Sequence, residues 1–108
     1  MTEFAGRLRE RIVIEKPSEV RTTTGFRTEG WERLASCWGA IEQDGVGSEA
    51  AAMAVSAMPR FRVTVRARDD LAIGQRVRWG KRTLAMRQLL ANPLQPDRMV
   101  LKCEEERA

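Results

Sequence analysis

The chain has no histidine and no tyrosine, and only two cysteines in 108 residues. Without histidine the commonest general base and the commonest metal ligand are missing, together with every Ser–His or Cys–His nucleophile pair. Cys37 and Cys103 lie far apart with no CxxC spacing, which suits small buried hydrophobes better than a redox or metal pair. The carboxylates are scattered. Asp69 and Asp70 are adjacent, but neighbouring strand residues point apart, so they read as a polar turn and not as paired acids. Phosphate-cradling glycine loops are also lacking, because Gly45-Val46-Gly47 continues into no third glycine and no GxxxxGK[ST] occurs. The expectation is a protein with no catalytic residues, no cofactor and no metal. No apolar run reaches the roughly 18 residues of a membrane span. The opening MTEFAGRLRERIVIEK is charged throughout and does not look like a signal peptide. A cytoplasmic origin and no membrane partner are therefore expected.

What is present is arginine. Of nineteen basic residues sixteen are arginine, and the formal net charge is +4. Arginine's planar fork binds carboxylates and phosphates bidentately and stacks on flat groups, although a GC-rich genome also enriches arginine codons. The stretch FRVTVRARDD, residues 61–70, alternates apolar and polar side chains. As a strand it buries Phe61, Val63, Val65 and Ala67 and turns Arg62, Arg66 and Arg68 to the other side.

Similar patterns predict six strands, at residues 8–15, 31–41, 60–68, 75–79, 82–90 and 99–104. Pro17 is expected to end the first, since proline cannot donate to a central ladder. Residues 17–30 are polar and read as a long loop or an extended hairpin arm. In the second strand Leu34, Trp38 and Ala40 share one face, and Ala35, Cys37 and Ile41 the other. Gly80-Lys81 suits a two-residue type II′ turn. Residues 48–58, rich in alanine and methionine, predict a short helix capped by Ser48 and closed before Pro59. It either lies on the barrel or orders against a neighbouring subunit through Met53, Val55 and Met58. Length and pattern together predict one all-β domain over residues 1–108, a small antiparallel barrel or sandwich of about six strands with one short helix and a long loop. Trp31, Trp38 and Trp79 fit core packing and, less readily, base stacking.

The order of LRERIVIE, a glycine loop, W..L...WGAI, an alanine-rich segment, FRVTVRARDDLAIGQRVRWGKR and a last hydrophobic strand resembles the phage head–tail joining proteins, also called head-closure, stopper or head–tail adaptor proteins. The residues that carry the resemblance are Leu8, Arg9, Arg11, Ile12, Ile14, Gly25, Trp31, Trp38, Val63, Val65, Arg66, Val77 and Gly80. The resemblance implies a homo-oligomeric, typically dodecameric ring in the neck of a tailed phage or phage-like particle, such as a prophage or gene-transfer particle. It implies portal and adaptor proteins above the ring, tail-terminator or tail proteins below it, and possible contact with packaged double-stranded DNA. Such a ring retains the genome and offers the platform for the tail. A neighbouring neck or tail-completion ring and an OB-like nucleic-acid module are the alternatives.

Within this frame Arg60, Arg62 and Arg66, with Arg76 and Arg78 on what the sequence suggests is the adjacent strand, are expected to form one basic sheet face for assembly or for the channel. Its counter-charge is expected from DNA or from a neighbour's Glu42, Asp44 and Glu104 to Glu106.

Overall fold

The computed structural model describes Gly6 and residues 8–21, 27–46 and 58–106. Six strands follow one another: β1 (Glu10–Arg21), β2 (Arg27–Val46), β3 (Pro59–Arg66), β4 (Arg76–Trp79), β5 (Arg82–Ala91) and β6 (Arg98–Glu105). All pairs are antiparallel, and the sheet closes in the order β1-β2-β3-β6-β5-β4. Closure gives each strand a neighbour on both sides over part of its length, which removes most of the edge an open six-stranded sheet would expose.

The alternation in the sequence becomes the inside and outside of this barrel. Ile12, Ile14, Val63, Val65, Val77, Leu84, Met86, Leu101 and Cys103 fill the interior. Each large aliphatic side chain buried there stabilises the fold by roughly 2 kcal/mol. One mouth is closed by Phe61 and Trp79, whose rings meet edge to face at 5.6 Å, with Trp79 Nε1 donating to Glu10 Oε2 at 3.2 Å. The other mouth is crossed by residues 67–75, because β3 and β4 stand three places apart in the ring of strands. Leu71 on this crossing is buried in the core. Gln75 Nε2 donates to the Asp70 carbonyl at 2.9 Å, and the Ala67 amide bonds the Asp97 carbonyl at 3.0 Å. Asp69 and Asp70 are therefore part of a turn, with Arg68 forked onto Asp70 at 2.9 and 2.8 Å.

Three expectations need correction. Pro17 does not end β1, which runs on to Arg21 opposite Arg27, so residues 17–21 and 27–31 pair as the two sides of a hairpin arm. β4 pairs with β1 only from Val13 to Glu15, so Pro17 lies where β1 has become an edge strand, the place a sheet tolerates proline. Leu34 does not share the face of Trp38. The register steps from Ile14↔Ala35 to Glu15↔Arg33, leaving Leu34 as a bulge that packs against the core. The third strand ends at Arg66, and Arg68 belongs to the crossing loop. The expected turn at Gly80 is present: Gly80 has φ +59° and no described non-glycine residue has positive φ, as type II′ requires. The helix expected over residues 48–58 lies, apart from Met58, outside the described residues.

Candidate interaction surfaces

Arg60, Arg62 and Arg66 project outward from β3, whose neighbours are β2 and β6. Lys102 and Arg98 stand opposite Arg62 and Arg66 on β6, so the wall carries a basic band two strands wide. It is not bare. Arg60 pairs with Glu104 at 3.5 Å and Lys102 with Asp44 at 3.3 Å. With Glu105 paired to Arg82 at 3.8 Å, three of the acids expected to come from a neighbour are used within the chain. Arg98 is forked onto Asp97, and this bond holds the Asp97 carboxyl below its ordinary range. Beside Arg62 a shallow hollow is lined by Leu90, Val100 and Arg98.

Arg76 and Arg78 are not on that wall. β4 lies between β1 and β5, opposite β3 across the barrel. The sequence brings β4 soon after β3, but the loop between them crosses the mouth instead of turning back, so the five arginines form two separate faces. On the second face Arg76 Nε donates to Glu15 Oε1 at 2.7 Å while its guanidinium lies 4.1 Å from the centre of the Trp31 ring. Arg11 covers Trp38 in the same way at 5.2 Å. Trp31 and Trp38 keep 40% and 50% of their surface exposed, unlike Trp79, which packs on the core. An arginine stacked on an indole holds both side chains upright at modest cost in further ordering.

Sequence reading gave Arg11 a place only in the family resemblance, left out Arg33, and did not foresee that Trp31 and Trp38 each stack on an arginine. Trp31 and Trp38 are seven residues apart, an odd number that puts them on opposite faces of an unbroken strand. The bulge at Leu34 restores both to the outside, and nothing local in WERLASCW announces it.

Of the proposed subunit-contact residues, Met53 and Val55 lie outside the described residues. Met58 is half-buried at the Trp79 end of the barrel, near Arg82 and Glu105. Cys103 is buried and its thiol is pushed up to about 12 by desolvation; burial also raises Cys37. Among the described residues no group of three or more His, Cys, Asp or Glu is placed to hold a metal, and no helix is long and apolar enough to cross a membrane.

The fold is shared with solved structures. The chain is similar to protein SF1141 from Shigella flexneri 2a, with TM-score 0.70 and 27% identity over 95% of this chain and 96% of that one. It is equally similar in fold to a chain of the virion of the native gene transfer agent particle, with TM-score 0.70 and 20% identity over 94% of this chain and 98% of that one. No curated protein matches significantly. Residues 5–106, which include the whole barrel and both arginine faces, match the phage head completion proteins. The chain therefore belongs to the phage head completion protein family and is a structural protein of the phage head–tail region.

Proposed function

We propose that this protein is the head-closure, or stopper, subunit of a tailed phage or phage-like particle. In this reading twelve copies form a ring beneath the portal and adaptor, retain the packaged DNA and present the platform for the tail. The observation that carries the reading is the family match over residues 5–106, nearly the whole chain. The structural likeness to a chain of a gene transfer agent virion supports a particle of phage type.

The separation of the two arginine faces is consistent with a ring. A subunit in a closed ring meets its neighbours through two different patches, one on each side. With the walls apart, the basic wall at β3 and β6 can face a neighbouring subunit while the arginine–tryptophan wall at β1, β2 and β4 is left for a different partner. The Arg60, Arg62 and Arg66 wall serves assembly in this reading, because a protein that must hold DNA and later release it gains little from strong phosphate binding. Rim ion pairs are worth about 1 kcal/mol or less each, and a ring repeats each of them in every subunit.

Deleting the gene from a particle-producing strain tests the function. The expected result is filled heads that lose their DNA and carry no tails, restored by the gene in trans. Tailed, DNA-retaining particles without the protein would refute it, and DNA-retaining heads with malformed tails would place the protein in tail completion.

A further inference from the structure

We infer that the β2 edge of the barrel is a docking site for an extended acidic segment of another protein, which adds to β2 as a further strand. Among the described residues, β2 pairs with β3 only from Ala40 onward. Its residues 31–39 pair with β1 alone. Among the described residues the backbone N–H and C=O groups on the other side of this stretch thus have no ladder partner, because the β2–β3 ladder stops at the Ala40–Thr64 pair. An unpaired edge of this length is a template for strand addition.

The outer side chains beside the edge select the occupant. Trp31, Arg33 and Trp38 are exposed along it, the two indoles spaced roughly 20 Å apart at the usual strand rise. Tryptophan and arginine are the residue types that most often dominate binding energy at interfaces. Each indole is held by a stacked arginine, Arg76 or Arg11. Among the described side chains the carboxylates along this stretch, Glu15 and Glu32, are taken up by Arg76 and Lys16. The face therefore presents positive charge, and its complement is acidic. A second copy of this chain fits poorly: its acids Glu104, Asp44 and Glu105 already pair with Arg60, Lys102 and Arg82, and its opposite wall is basic. Nucleic acid would satisfy the arginines but cannot form the backbone ladder.

The inference rests on no position in the particle, so its failure and that of the proposed function are distinguishable. The probe is a fluorescein-labelled nine-residue peptide of alternating glutamate and valine, its binding to the isolated protein followed by anisotropy. Saturable binding is expected, weakened at least ten-fold by Arg33→Glu and by Trp38→Ala. It is also expected to weaken at least ten-fold when alternate peptide nitrogens are methylated, which removes edge hydrogen bonds while keeping every charge. Both substituted positions are exposed, and an unchanged thermal transition confirms that the variants are folded. Equal binding of the methylated peptide, or of a peptide with lysine in place of glutamate, overturns the inference. So does tighter binding of oligothymidylate than of the peptide, or a self-association abolished by Trp38→Ala. An absence of peptide binding overturns it as well.

Discussion

The guanidinium of Arg76 is shared between two partners: it donates to Glu15 at 2.7 Å and lies over the ring of Trp31 at 4.1 Å. This joins β4, β1 and the base of the hairpin arm through one side chain. Both ends of the ion pair are mostly shielded, at 18% and 20% side-chain exposure. Arg76→Ala removes a charge-assisted bond and a stacking contact, so a loss of about 2 kcal/mol is expected. For a chain of this size that lowers the thermal midpoint by roughly 10 °C. Arg76→Lys keeps the charge but loses the flat fork, and is expected to recover less than half of the loss. A wild-type midpoint for Arg76→Ala contradicts the role given to this contact.

Gly39 is a buried position of β2 that lies against the core. A Cβ built there comes within 3.2 Å of Ile12 Cδ1 and 3.4 Å of both the Thr64 carbonyl and Val63 Cγ1. Ile12 and Val63 are buried and have little room to yield. Gly39→Ala is expected to cost about 1 kcal/mol and Gly39→Val about 3 kcal/mol, through overpacking. Denaturant midpoints in guanidinium measure both. A stabilised Gly39→Ala shows that the backbone gain outweighs the crowding.

Cys103 ties stability to alkaline pH. Burial pushes its thiol from 9.0 up to about 12, so above pH 9 the unfolded chain releases this proton while the folded one keeps it. The folded state then binds more protons, and stability falls as pH rises from about 9 toward 12. Cys103→Ala is less stable at neutral pH because of the lost packing, yet its stability is expected to fall less steeply over that interval. The native thiol is expected to resist iodoacetamide at pH 8. Parallel slopes for the two proteins contradict the shift.

How much of this could be read from the sequence depends on how local the determinant is. Strict alternation in 61–66 and the Gly80 turn placed β3, β4 and the start of β5 within a residue or two. Leu84, Met86 and Leu89 all face inward although the last interval is three, because the register steps at Arg87 between Met86 and Gln88. That spacing imitates a helix, and the hairpin turn before it decides for a strand. What stayed hidden is set at long range. Pro17 is tolerated because β4 is too short to reach it, and the order of closure, not chain order, separates Arg62 from Arg76. The bulge at Leu34 re-aims Trp31 without any glycine or proline to mark it.

The β3 wall is expected to serve assembly and not folding. Arg62→Glu with Arg66→Glu alters two exposed side chains, so the thermal midpoint of the isolated protein is expected to stay close to wild type. Incorporation into particles, read by immunoblot of purified particles, is expected to be lost. If the variant is incorporated and the particles leak DNA, the wall meets the genome; if it is incorporated and DNA is retained, the wall is a solvated surface.

The most direct measurement is a cryo-electron microscopy reconstruction of the head–tail junction in particles that carry this protein, computed without imposed symmetry. The expected density is a single ring of twelve six-stranded barrels between the portal–adaptor assembly and the tail, with the β3 wall at a subunit boundary. A barrel of this shape found only below the tail-attachment plane, or no copy at the junction at all, contradicts head closure.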